Sequence, residues 1–421
     1  PAGFGSGLLT VVTPGGVATG ITIPALTRLE NPDGTLARAA TGTPADPAQA
    51  STNGDQLLVV RGSGLVSGMA LRVARGRFGV FFDNADFTLS NVSPDGTRAE
   101  VTVPKFPFGA GLITGQARVV QASTGVQSPQ SLLLQAVPTL TSVSLPTGAS
   151  FTAGTTLTLN GSAFTAAMQV RFPLLAGGTV DQPIAAGSVN LSDSQAQVVI
   201  PAGAGPGALQ PVTDGGVAQG LTLPGLTRLE NPDGTLARAA TGTPADPAQA
   251  STNGDQLLVV RGSGLVSGMA LRVARGRFGV FFDNADFTLS NVSPDGTRAE
   301  VTVPKFPFGV GLITGQARVV QASTGVQSPQ SLLLQAVPTL TSLSVTTFAP
   351  GQTMTLGGSA FTSDMLVRFP LAAGGTIEEQ VVVNSVNQFE SGAQVLIPGG
   401  AIKGPTTVIT PGGESNAVTP P

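Results

Sequence analysis

The chain of 421 residues contains no cysteine, no histidine, no tyrosine and no tryptophan. Lack of cysteine excludes disulfides, thiolate metal sites and cysteine nucleophiles together, and leaves the redox compartment open. Lack of histidine removes the most versatile acid–base residue near neutral pH and the commonest transition-metal ligand. All 20 aromatic residues are Phe, so sugar recognition by stacking on Trp or Tyr is excluded as well. Charge is scarce: Asp, Glu, Lys and Arg make up 11% of the chain and leave a net charge of -3. Such a surface has no electrostatic footprint for nucleic acid or an anionic membrane. No apolar run approaches 18 residues, which excludes a transmembrane helix, and no basic, apolar, small-residue segment reads as a signal peptide. No catalytic residue set remains, and the expectation is a protein that is not an enzyme and carries no cofactor.

What is present points to strands. A chain of this length suggests two to four domains. Gly and Pro account for 89 residues, which is short of low-complexity disorder and consistent with many turns. Segments such as "TLTLN", "MQVRF", "AEVTVP", "QARVVQ", "AQVVIP" and "AQVLIP" are short, rich in β-branched residues and alternate with period two. Turn signals separate them: "NPDG" from Asn31, "SPDG" from Ser93 and "AGG" from Ala176. The best helical candidate, "ADPAQAS" from Ala45, is one or two turns at most. The expected class is therefore all-β. Low net charge is also permissive for self-association.

Internal repetition is the dominant feature. At an offset of 200, residues 26–142 match residues 226–342 at 116 of 117 positions, the exception being Ala110 against Val310. Beyond Ser142 the copies diverge but stay alignable. A fainter similarity lies within each copy, where "DQLLVVRGSGLVSGMALRV" from Asp55 resembles "TTLTLNGSAFTAAMQVRF" from Thr155. Each copy then consists of an A-type module followed by a B-type module. The ends of the B modules recur three times: "PAGFGSGLLTVVTPGGVATGITIP" at residues 1–24, "PAGAGPGALQPVTDGGVAQGLTLP" from Pro201 and "PGGAIKGPTTVITPGGESNAVTP" from Pro398. The expected organisation is residues 1–24 as the closing strands of a truncated B-type module, A modules at 25–136 and 225–336, and B modules at 137–224 and 337–421. On this reading the chain is a segment of a longer alternating array.

The B modules resemble the IPT/TIG family of immunoglobulin-like domains. The resemblance is carried by the opening Pro138 or Pro338 before "TLTS", by Gly154 or Gly351 ahead of "TLTLNGSAF" or "TMTLGGSAF", by "MQVRF" or "MLVRF", and by the closing Pro-marked, Gly-rich hairpin. The A modules match in "LLVVRGSGLVSGMALRV" and "AEVTVPKFPFGAGLITGQARVVQASTGVQS", with an inserted "ARGRFGVFFDNADF". The resemblance implies two-sheet immunoglobulin-like β-sandwiches in a linear tandem array. It does not select a function, because this fold hosts many.

Candidate sites concentrate in the A-module insertion. Asp83, Asn84 and Asp86, with the copies Asp283 and Asp286, offer oxygen ligands that a calcium ion could use. The simpler expectation for them is a polar turn. Arg72, Arg75 and Arg77, with copies Arg272, Arg275 and Arg277, could grip an acidic glycan or an acidic face of a neighbouring chain; local ion pairing on a solvated strand is the alternative. Of the group Phe78, Phe81, Phe82, Phe87, Phe106 and Phe108, at least one ring is expected to face outward, with Phe81 and its copy Phe281 as candidate contacts and core filling as the plainer reading. Asn91, Asn160, Asn190 and Asn291 begin N-x-S triplets, expected in so Ser-rich a chain. "RGS" at Arg61 reads as a Gly-Ser turn.

The functional expectation is a structural repeat protein, located outside the cell or on its surface. Stacked sandwiches would form a fibre, stalk or sheath, with copies of itself as partners. Very short Pro-marked junctions such as "QAVPTL" at Gln135 would hold successive modules at defined angles. The rival is an adhesin whose A-module loops, around Arg72 to Asp86 and Ala39 to Thr52, bind a glycan or a surface protein.

Overall fold

A computed structural model of the chain describes residues 5–37, 49–52, 56–77, 80–103, 114–147, 149–235, 237, 249–252, 256–277, 280–303 and 314–421. Within these, the side chains of 49–52, 75–77, 80–83, 114–115, 249–252, 256, 275–277, 280–284 and 314–315 lie outside the description. Two compact units emerge, Pro1–Ala204 with Ala208–Leu221, and Gly205–Gly207 with Thr222–Pro421.

The described residues are all-β, and each unit contains tandem immunoglobulin-like sandwiches. In the first unit, one sheet places Ala25–Glu30, Gln56–Ser63 and Arg98–Val103 side by side, all antiparallel. The facing sheet runs Gln49–Thr52, Leu132–Ala136, Thr114–Gln121, Met69–Arg77, Val80–Thr88, with Val126–Gln127 as a short addition. Leu26, Leu29, Leu58, Val60 and Val101 of the first sheet share one core with Leu71, Val73, Val119, Leu132 and Leu134 of the second. Alternation explains why. Arg98–Val103 buries every second residue, as a strand must when one face meets a core and the other meets water.

Residues 139–217 build a second pair of sheets. Thr139–Ser144, Thr156–Ser162 and Gln195–Val199 form one; Thr179–Pro183, Gln169–Pro173, Gly207–Thr213 and Gly216–Val217 form the other. The Phe side chains are decisive here, because Phe151, Phe164 and Phe172 are completely buried with Leu157, Val170 and Val198. The second unit repeats both arrangements, and its later core centres on Phe361, Phe369, Met354 and Met365. Phe348 meets Phe369 edge-on with ring centres 6.5 Å apart, a geometry favoured by the ring quadrupoles.

Three expectations change on contact with the fold. The helical candidate "ADPAQAS" ends in a strand: Gln49–Thr52 pairs in parallel with Leu132–Ala136, and Ala45 to Pro47 and Ala48 lie outside the described residues. Pairing with a distant edge overrides a weak local preference. The segment around Asp83 to Asp86 is likewise a strand, Val80–Thr88, and not a polar turn; it pairs along nearly its full length with Met69–Arg77, with one irregularity at Arg75/Gly76.

The Gly-Ser pair is the third case. Gly62 and Ser63 end a strand, opposite a register shift between Leu26 and Arg28. A Cβ on Gly62 would come 2.0 Å from the Ala25 carbonyl oxygen, and on Gly161, its equivalent, 1.9 Å from that of Thr139. Glycine is required there by close backbone approach at a β-bulge, and turning follows afterwards.

Candidate binding surfaces

Arg72 makes a two-pronged contact with Asp86: Nε donates to Oδ1 and Nη2 to Oδ2, both at 2.7 Å. Arg272 and Asp286 repeat it. The hydrogen bonds from Arg72 hold the Asp86 carboxyl below its ordinary pKa, against the opposing effect of burial. Both oxygens of Asp86 are thus engaged by a guanidinium across the strand pair. Among the described residues no group of three or more acidic side chains is placed to hold a metal ion. The side chains of Asp83, Asp283, Arg75, Arg77, Arg275, Arg277, Phe81 and Phe281 lie outside the described residues, as do Phe78, Phe106 and Phe108. Their backbones are paired where strands are present, with Arg75 opposite Asp83 and Gly76 opposite Phe81. Phe87 is partly buried and packs against the core. Asn91 directs its amide to the Glu100 carboxylate at 2.5 Å.

A second arginine group, on the opposite sheet, was not anticipated as a unit. The strands Ala25–Glu30, Gln56–Ser63 and Arg98–Val103 set Arg28, Arg61 and Arg98 directly abreast. Glu30, one rung along on the same face and opposite Val59, is only 1% exposed and accepts from Arg61 Nε at 2.7 Å and from Arg28 Nη2. Arg98 Nη2 donates to Glu100 at 2.6 Å. Hydrogen bonds from Asn91 and then from Arg98 hold Glu100 below the usual carboxylate range. A shallow depression of about 470 Å³ is lined by Thr27, Arg28, Arg61, Gly62 and Thr97. The signal was present in sequence: "TRLE" at Thr27 and "TRAE" at Thr97 each put Arg and Glu two residues apart, hence on one strand face.

The N-terminal segment is one of three copies of a closing hairpin. Gly7–Leu9 pairs with Ile21–Ile23, and Val12–Thr13 with Gly16–Val17. The same small hairpin recurs at Val212–Val217, with Thr213 opposite Gly216, and at Ile409–Glu414, with Thr410 opposite Gly413. Gly16, Gly216 and Gly413 share φ values of 133°, 134° and 134°, a backbone state that L side chains rarely adopt. Local geometry is the same in all three; burial is not. Leu9 is 46% exposed where the equivalent Leu209 is fully buried, and Val11 is 63% exposed where the equivalent Val408 is fully buried. In the later copies the strand lies against a neighbour, Gln169–Pro173 or Leu366–Pro370. A side-chain clamp completes the last copy, in which Asn416 accepts from the Leu340 amide at 3.1 Å and donates to its carbonyl at 2.7 Å.

No protein-family profile matches the chain, and no curated protein sequence does. Among solved structures it is similar to a tetra-tandem repeat in the extending region of a large adhesion protein, at 16% identity over 88% of this chain and 97% of that one, with a TM-score of 0.20. It is similar to the four-domain D1–D4 ectodomain fragment of ICAM-5, at 14% identity over 89% and 96% of the two chains, TM-score 0.20. It also resembles the N-terminal eight immunoglobulin domains of Down Syndrome Cell Adhesion Molecule, at 13% identity over 98% and 57%, TM-score 0.20.

Proposed function

We propose that this chain is a structural repeat protein of an extracellular or cell-surface fibre, stalk or sheath, built from immunoglobulin-like modules that follow one another and associate with copies of themselves. The modules of this reading are those delimited by residues 25–136, 137–224, 225–336 and 337–421, the B-type ones being of IPT/TIG kind. Its role is mechanical: hydrogen-bonded sheets transmit load, and cores of Phe, Leu and Val keep each sandwich closed.

The observation that carries the reading is the repetition: residues 26–142 and 226–342 match at 116 of 117 positions, and both copies fold into the same two sheets with the same strand order. Near-identical modules in series are what a load-bearing repeat array needs. Exclusion of charge from most of the chain further favours association of copies.

Electron microscopy and sedimentation of the purified chain test this. Ordered polymers are the expected result. Chains that stay monomeric at every concentration and are recovered only by binding an immobilised glycan would overturn it in favour of an adhesin.

A further inference from the structure

We infer that the rung formed by Arg28, Arg61 and Arg98, and its copy Arg228, Arg261 and Arg298, is a binding site for the carboxylate or sulfate groups of an acidic polysaccharide. This stands independently of the fibre reading, since a fibre subunit and an adhesin could both carry it.

The fold does not ask for these charges. The same three rung positions in the B-type sandwiches hold Ser142, Asn160 and Gln195 in one case and Ser342, Gly357 and Gly392 in the other. Like charges directly opposite one another on adjacent strands are destabilising. Three abreast, present in both A copies and absent from both B copies, therefore call for compensation. Glu30 and Glu100, on the next rung of the same face either side of Val59, supply part of it, leaving two carboxylates to three guanidinium groups. Each named ion pair uses one nitrogen of its arginine, so donors remain on the outer edges of the row. Arg28 is 50% exposed and Arg61 37%, whereas the compensating Glu30 is covered. From solvent the surface therefore presents guanidinium groups.

Guanidinium groups pair with planar carboxylates and with sulfate oxygens through two parallel N–H donors. The remaining lining, Thr27, Gly62 and Thr97, is small and polar. Thr27 donates to the Arg61 carbonyl at 3.0 Å, which fixes the floor of the depression. Protein partners are recognised around buried aromatic or aliphatic anchors; the aliphatic residue on the neighbouring rung, Val59, is only 2% exposed and already covered. A polyanionic chain needs only cationic points on an open face. The depression is shallow and open in that sense, and the second unit repeats the three ion pairs of the rung.

The test uses the full chain with dextran sulfate and polygalacturonate as probes and neutral dextran as control. Titration is expected to show two equivalent sites per chain for short acidic oligosaccharides, with affinity falling steeply as salt is raised. Arg28→Gln with Arg228→Gln should weaken binding at least tenfold; Arg61 continues to hold Glu30, and the melting curve checks the fold. Arg72→Gln with Arg272→Gln, on the other sheet, should leave affinity unchanged. A measurement without any variant accompanies these: bound oligosaccharide should slow amide exchange at Thr27–Arg28, Arg61–Gly62 and Thr97–Arg98. Equal binding to neutral dextran, unchanged affinity in the Arg28/Arg228 variant, protection elsewhere, or binding of polyglutamate but of neither polysaccharide would each overturn the assignment. The polymer assay above reads assembly and not polyanion binding, so failure of one leaves the other standing.

Discussion

Joining residues 137–200 ahead of Pro1 should supply the segment 7–23 with a B-type body. Residues 1–24 align with 201–224, so the junction reproduces the order in which a B-type body already meets its closing strands. The gain follows from burial. Leu9 would go from 46% exposed to the full burial of Leu209, and Val11 from 63% to that of Val408. Complete burial of such a side chain is worth about 1.5–3 kcal/mol, so the two fractions together give about 2–3 kcal/mol. Cross-strand hydrogen bonds to the new neighbour add to this. At 1.4 kcal/mol per tenfold, the amides of Leu9 to Thr13 should exchange roughly 30- to 140-fold more slowly in the extended chain. Hydrogen exchange followed by mass spectrometry reads this directly. Peptides from Gly207–Thr213 and Thr407–Thr410, already docked, serve as internal rulers and should not change. If the added body folds, shown by protection of its own strands, while Leu9 to Thr13 exchange as before, the closing-strand reading is refuted.

Two further outcomes follow from the cores and the ion pairs. Phe369→Ala empties a fully buried position and should cost about 3–5 kcal/mol. Calorimetry should then show one early transition for that sandwich rather than a uniform shift, because multi-module chains do not melt as one two-state unit. Asp86 gives a pH prediction with a definite sign. Its native carboxyl lies below the ordinary value because of hydrogen bonds from Arg72, so its contribution is present above about pH 4 and lost as pH falls through the lowered native value. The pair is more than a third exposed, which limits the effect to about 1 kcal/mol or less. Asp86→Asn should flatten the acid limb of a stability–pH profile by that amount; an unchanged limb would count against the pairing.

Local pattern made the strands legible. Ala99–Val103 of "AEVTVP", Ala196–Val199 of "AQVVIP" and Gln169–Phe172 of "MQVRF" lie in Arg98–Val103, Gln195–Val199 and Gln169–Pro173, because a period of two is visible in any stretch that buries one face. The turns at Asn31, Ser93 and Ala176 were legible through Pro, Asp and Gly. Less was readable where the outcome depended on partners. Gln49–Thr52 carries no strong strand signal and becomes a strand only by pairing with Leu132–Ala136. Arg72 was visible as a charge, but its tie to Asp86 depended on the pairing register, which places the two opposite each other.

The sequence by itself determined the all-β class, the repeat of 200 residues and the exclusions that follow from missing Cys, His, Trp and Tyr. Those depend on composition and on neighbours a few residues away. Only the tertiary structure decided which strands lie abreast, and with that the rung of Arg28, Arg61 and Arg98. Register between strands is fixed by hydrogen bonding and packing over long sequence separations. Three arginines that are far apart along the chain thereby become one surface.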